Sequence, residues 1–116
     1  MIYRSVSLAA DAKTFKFAYK KLLVDHGIEV IHISLRILNL IQDDKLDLKG
    51  FDGVRVYHHG PCHLSLGLGV RYEPRKNLQS IPGVELVNPI VEGPTCCAFS
   101  GGVRMNHPSL SIAIAR

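Results

Sequence analysis

The run "IEVIHI", residues 28 to 33, restricts the folds open to this chain more than any other feature. It is short, β-branched and almost wholly apolar, the pattern of a strand covered on both faces. Such a strand needs helices to cover it, and the segments on either side have helical period. In "TFKFAYKKLLVD", residues 14 to 25, Phe15, Ala18, Tyr19, Leu22 and Leu23 recur at helical spacing, which predicts one amphipathic helix with Gly27 available to end it. Ser34 is then placed to cap a second helix through "LRILNLIQDD", where Leu35, Leu38 and Ile41 mark one face.

Beyond a turn through "KGFDG", the run "VRVY" from Val54 reads as a second strand and "VELV" at 84 to 87 as a third. Between them "EPRKNLQSI" reads as a short helix with Pro74 in its first turn, and Pro108 opens "PSLSIAIAR" as a last helix running to the chain end. Alternating helices and strands predict an α/β fold, a mostly parallel sheet with flanking helices joined by right-handed crossovers. Residues 1–116 read as a single domain, with no internal repeat and no low-complexity linker.

With 47% apolar and 21% charged residues, the chain falls among ordinary globular sequences and outside the disordered class. Its longest apolar stretch, "EVIHISLRILNLIQ", is broken by His32, Ser34, Arg36 and Asn39, well short of the roughly 20 apolar residues of a membrane span. The start "MIYRSVSLAADAK" has no apolar core of signal-peptide length. A cytoplasmic location is expected, with any membrane contact made through a partner. A formal charge of +4 is mild, and Lys13, Lys16, Lys20 and Lys21 belong on a solvated helix face. Without a reading motif, nucleic-acid binding is not expected.

Three cysteines cannot all pair within one chain. They sit in "VYHHGPCHLS", residues 56 to 65, and "GPTCCAFSGG", residues 93 to 102, stretches rich in glycine and proline that pack no core. In a reducing compartment, cysteines in polar loops beside histidines point to metal or redox chemistry. Cys62 follows the second strand and Cys96 with Cys97 follows the third, at the edge where open α/β sheets bind ligands. If those strands are parallel neighbours, both loops reach the same rim. A plainer alternative makes Cys62 a free thiol near a helix start and Cys96 and Cys97 inert thiols, or a disulfide of adjacent residues on oxidation.

The remaining polar residues carry less. Gly60, Gly67, Gly69, Gly101 and Gly102 permit tight turns or close approach, and "GLGV" and "SGGV" lack the spacing of a nucleotide fingerprint. His32, inside an apolar strand, reads as a core histidine with its hydrogen bonds satisfied, and His26 and His107 as solvent-facing. No Ser-His-Asp or paired-carboxylate arrangement stands out, and Asp43, Asp44 and Asp47 fit a solvated turn.

Taken together, "YHHGPCHLSLGLGVRYEPRKNLQSIPGVELV" and "CCAFSGG" resemble the cysteine-rich CCG domain of the heterodisulfide reductase catalytic subunit and its relatives. Those relatives are the iron-sulfur subunits of glycolate oxidase, of lactate utilisation and of anaerobic glycerol-3-phosphate dehydrogenase. The family pattern is a Cys in a His-Pro-Cys-His context, thirty-odd residues, a Cys-Cys pair, a similar gap, and a Cys-x-x-Cys. Here Cys62 and Cys96 enclose 33 residues. Upstream, "TFKFAYKKLLVDHGIEVIHISLRILNLI" resembles the segment leading into the motif, so the likeness runs from about Thr14 to Arg116. The chain departs from the family in lacking the C-terminal Cys-x-x-Cys, in having "SLAADAK" without cysteine before Thr14, and in carrying Ala98 where the family has glycine.

The resemblance implies a Rossmann-like half of such a protein. Cys62, Cys96 and Cys97 would then be ligands of an iron-sulfur cluster of the four-iron, four-sulfur type, serving electron transfer or disulfide reduction. A four-iron cluster normally takes four or five cysteines, so the set in this chain is incomplete and the chain alone is expected to show no turnover. The implied partners are other subunits of a redox complex, of flavin or ferredoxin type, or a second copy of the chain. Zinc asks for less: Cys62, Cys96, Cys97 and one histidine would close a structural Cys3His site. His59 aligns with the family histidine before the proline-cysteine and is the first choice of nitrogen ligand, with His63 the alternative or supporting partner. His58 points to the opposite face if strand geometry persists that far. A third possibility is a metal-free remnant serving as an interaction surface.

Overall fold

The computed structural model describes residues 2–87, 96–99 and 101–115, apart from the side chains of Leu23 and Val24. Strand β1 (Ile2–Val6) leads through α1 (Ala9–Phe17) and α2 (Lys20–Val24) to β2 (Ile28–His32) and α3 (Ile33–Gln42). The second half comprises β3 (Val54–Val56), a π-helical turn at His63–Gly67, α4 (Glu73–Gln79), β4 (Val84–Leu86), α5 (Gly102–Asn106) and α6 (Pro108–Ile114). The chain is α/β and its strand pairs are parallel, as the sequence predicts. Among the described residues there are two sheets instead of one, each of two strands: β1 beside β2, and β3 beside β4.

The first sheet contains a strand the sequence reading passed over. β1 lies in register with β2 from Ile2 opposite Ile28 to Val6 opposite His32. Gly27, at φ 65, turns the chain into β2, and its carbonyl accepts the Ile2 N–H at 3.1 Å. The left-handed backbone is open to glycine without steric penalty, which explains the choice of residue. The predicted helix over 14–25 is two helices, and it starts earlier, at Ala9. The break follows the Thr14 carbonyl, which accepts from both Ala18 and Tyr19 N–H, while the Thr14 hydroxyl donates back to Ala10 O at 3.0 Å.

That helix pair does not bury the face its periodicity marks. Phe15, Tyr19 and Leu22 remain 42%, 46% and 61% exposed, and the buried residue of α1 is Ala12. The Leu23 side chain lies outside the described residues. The lysines Lys13, Lys16, Lys20 and Lys21 are exposed, as expected of a solvated face.

Helix α3 is capped two residues earlier than the sequence suggests. His32 is the N-cap, its Nδ1 accepting the Ser34 N–H at 3.2 Å and lying 2.7 Å from the Ser34 hydroxyl, while Nε2 lies 3.1 Å from Ser7 O. With Nδ1 as acceptor, Nε2 carries the proton and donates to Ser7 O, tying the end of β2 to the loop after β1. The buried imidazole is thus fully hydrogen-bonded, and burial pushes its pKa below the usual histidine value, partly offset by the Ser7 bond.

The halves meet where α3 packs on α4, with Asn77 Nδ2 donating to Ser34 O at 2.8 Å. In the second sheet β3 and β4 run in register from Val54 opposite Val84 to Val56 opposite Leu86. Their alignment is fixed ahead of the strands: Phe51 N–H donates to Pro82 O and Val54 N–H to Gly83 O, each at 2.9 Å. Gly83 adopts φ 77, and a Cβ there would overlap the Phe51 carbonyl, so both backbone angle and space require glycine.

The core among the described residues is thin: Ala12, Val30, Leu38, Leu64, Val70, Leu86 and Ala98 are buried, and no large side chain is fully enclosed. The molecule measures 46 × 44 × 20 Å with a radius of gyration of 16.6 Å. A compact chain of this length would have about 13 Å. The fold is a flat slab.

Candidate functional site

Cys62 sits beyond the C-terminal end of β3, in a loop closed by its own backbone hydrogen bonds and packed against α1. Ser65 N–H donates to Pro61 O at 2.8 Å, Leu68 N–H to His63 O at 3.1 Å and Val70 N–H to Leu64 O at 3.0 Å. These close the π-turn and bury Leu64 and Ser65 beneath a half-buried Cys62. The loop folds so tightly that a Cβ on Gly60 would lie 2.9 Å from the Ser65 hydroxyl. Two arginines brace it from α4 and its approach: Arg71 Nε donates to Ser65 O at 3.2 Å, and Arg75 reaches Arg71 O at 3.1 Å and His58 O at 3.4 Å.

The three histidines around Cys62 differ. His59 and His63 are exposed and free to turn toward a bound group, whereas His58 is half-buried. Burial first, then the Arg75 charge and that of His59, holds the His58 pKa below the ordinary histidine value, so the ring is neutral at pH 7.

The other cysteines follow β4. Val87 N–H donates to Val56 O at 2.9 Å, extending the ladder one step toward them. Cys96 and Cys97 are exposed free thiols. Behind them Ala98 is buried at 3% exposure with φ 52, a left-handed conformation that disfavours any residue but glycine. The family substitution noted in the sequence therefore falls where the backbone wants glycine. The Ala98 N–H donates to Cys96 Sγ at 3.4 Å, and its carbonyl accepts from the buried Ser111 hydroxyl of α6 at 2.8 Å. Gly101 (φ 73, ψ −150) then turns the chain into α5, and the Arg104 guanidinium lies 4.0 Å from the Phe99 ring centroid. Gly93, Pro94, Thr95 and Ser100 of the quoted motif, and Arg116 at the end of the predicted last helix, lie outside the described residues.

Both cysteine loops thus leave neighbouring parallel strands. Among the described residues, however, no group of three or more His, Cys, Asp or Glu side chains is gathered closely enough to hold a metal ion. The donors have the right chemistry for a soft metal, but this arrangement is not a finished site for a cluster or for zinc. Sequence reasoning missed the supports, Ser111, Arg71 and Arg75. For Ser111 a signal existed, a lone hydroxyl in the apolar run "LSIAIA".

Among the described residues no helix is long and apolar enough to cross a membrane. No solved structure matches the chain. It is 39% identical over 93 residues to a subunit of the fumarate reductase (CoM/CoB) of Methanothermobacter marburgensis, covering 78% of this chain and 18% of that protein. It is 36% identical over 89 residues to a subunit of the dihydromethanophenazine:CoB–CoM heterodisulfide reductase of Methanosarcina mazei, covering 75% and 22%. A lactate utilization protein of Geobacillus sp. is 33% identical over 91 residues, covering 78% and 36%. The chain therefore spans about a fifth of the first two relatives. The model of the CCG cysteine-rich domain matches residues 56–116, from the last residue of β3 through every cysteine, and the chain belongs to that family.

Proposed function

We propose that this chain is the cysteine-bearing module of an iron-sulfur oxidoreductase subunit of the heterodisulfide reductase type, serving electron transfer or disulfide reduction. The observation that carries the reading is that the family match over 56–116 takes in Cys62, Cys96 and Cys97, on loops that leave two hydrogen-bonded parallel strands. Thiolates favour iron-sulfur clusters and other soft metal centres. With three thiols and no gathered metal group among the described residues, the module supplies part of a ligand set that another segment or subunit completes. His59 and His63 are the accessible nitrogen donors beside Cys62.

Relatives named as reductase subunits support partner subunits for this chain too. A flavin or ferredoxin-type subunit would deliver the electrons, and the exposed apolar residues of α1, α2 and α6 would lie against it or a second copy. A cytoplasmic site, where thiols stay reduced, fits this assignment.

The test is elemental analysis for iron, sulfide and zinc on chain purified without oxygen, alone and with its co-purifying partners, beside the visible spectrum. The reading expects iron and sulfide with brown absorption when partners are present, lost in Cys62→Ser and in Cys96→Ser. Zinc near one per chain without colour would transfer the assignment to a structural site of Cys62, Cys96, Cys97 and a histidine. Neither metal, with or without partners, would overturn both.

A further inference from the structure

Among the described residues, the Cys-Cys turn is tied to α6 by one side-chain hydrogen bond. Ala98 accepts the Ser111 hydroxyl at its carbonyl, at 2.8 Å, and donates its N–H to Cys96 Sγ, at 3.4 Å. The two groups flank the same Cα, so a change in the Ala98 backbone angles moves one against the other and the two bonds are lost together. That backbone is left-handed, φ 52, unfavourable for alanine, and persists only if something outside the turn holds it. Ser111 is 4% exposed and sits in a helix whose other described side chains are exposed, so its burial is local to this contact.

We propose that Ser111 is a positioning residue for the Cys96–Cys97 pair: through Ala98 it keeps the Cys96 sulfur in an N–H···S hydrogen bond and makes the two neighbouring thiols unequal. Cys96 is the held sulfur, and among the described residues Cys97 has no hydrogen bond at its sulfur. The inequality belongs to the chain without metal and does not depend on which metal the thiols bind, so its failure is separate from a failure of the iron reading.

The test is alkylation by iodoacetamide of the reduced chain, followed at each cysteine by mass spectrometry, with Cys62 as internal reference. At about pH 10, where ordinary thiols are ionised, Cys96 of the native chain is expected to react roughly fivefold more slowly than Cys97, because its sulfur must give up the N–H···S bond on attack, the factor an ordinary hydrogen bond supplies. Ser111→Ala should raise the Cys96 rate by about that factor and leave Cys97 and Cys62 as they were. Hydrogen exchange gives a second readout: the Ala98 amide loses protection in the variant, while the Ser65 amide, bonded to Pro61 O, keeps it. Should Ser111→Ala alone fail to fold, the same comparison is made in an Ala98→Gly background, which relieves the backbone strain. Equal rates at Cys96 and Cys97 in the native chain, or equal acceleration of all three thiols in the variant, would overturn the proposal.

Discussion

The two cysteine loops leave adjacent strands but are held in different ways. Around Cys62 the chain closes on itself through a π-turn, a close glycine contact and two arginines, and the thiol is half-buried. Cys96 and Cys97 are exposed, and among the described residues they are tied to the fold through one strained alanine and one hydroxyl from α6. The Cys62 loop combines its own backbone bonds with packing on α1 and two arginine braces, whereas among the described residues the pair has that one hydroxyl from α6. Should a ligand gather all three thiols, the pair is the side expected to shift, because among the described residues fewer bonds hold it.

The deepest way to break the comparison is to remove the base both loops share. Gly83→Ala forces a side chain against the Phe51 carbonyl at a left-handed backbone position and should destabilise the chain by roughly 3 kcal/mol, read as a lowered melting temperature with all three thiols reacting faster. Gly60→Ala strikes the Cys62 loop alone. Its Cβ meets a hydroxyl that can rotate away, so a loss of about 1 kcal/mol is expected, with Cys62 alkylation accelerated, Cys96 and Cys97 unaffected, and recovery in the Gly60→Ala/Ser65→Ala double variant. Should Cys96 accelerate as well, the loops would be coupled and the contrast false.

Ala98→Gly sharpens the other side. Releasing alanine from φ 52 stabilises the turn by at most ~1 kcal/mol, reduced by the greater freedom of glycine in the unfolded chain, and denaturant melts should show a small gain. The smallest effect is a control remote from both loops. The folded pKa of His32 lies below its unfolded value, so the unfolded chain takes up the proton first as pH falls. The stability this imidazole contributes is complete above about pH 6.5, its unfolded value, and is lost as pH falls through the lower folded pKa. His32→Asn, which keeps an N-cap acceptor, should flatten that part of the profile. His58 has the same sign and leaves a residual slope. A profile unchanged by the substitution would show that His32 takes up its proton equally in both states.

The sequence made legible what short-range chemistry determines. The strands "IEVIHI", "VRVY" and "VELV", Pro74 and Pro108 in the first turns of α4 and α6, and the loops carrying the cysteines all follow from β-branched runs and ring constraints. β1 was not legible because "IYRSV" is half polar and becomes a strand through its pairing with β2. The exposed Phe15, Tyr19 and Leu22 show a different limit: periodicity marks a face but does not say what covers it. Within the site, the cysteines were named by residue type and context. Ser111 and Ala98 matter through a backbone angle and a long-range hydrogen bond, neither of which a residue type encodes.

A slab 20 Å thick has room for little more than one layer of side chains between its faces. Its unfolding therefore exposes little apolar surface, so the denaturant m-value should be low for its length and the transition broad. What such a chain lacks in cooperativity a docked neighbour can provide, because covering Phe15, Leu22 or Ile112 removes from water the same kind of surface that folding does. If a partner covers that surface, as proposed, assembly and the last step of folding become one equilibrium, and the apparent stability becomes a function of partner concentration.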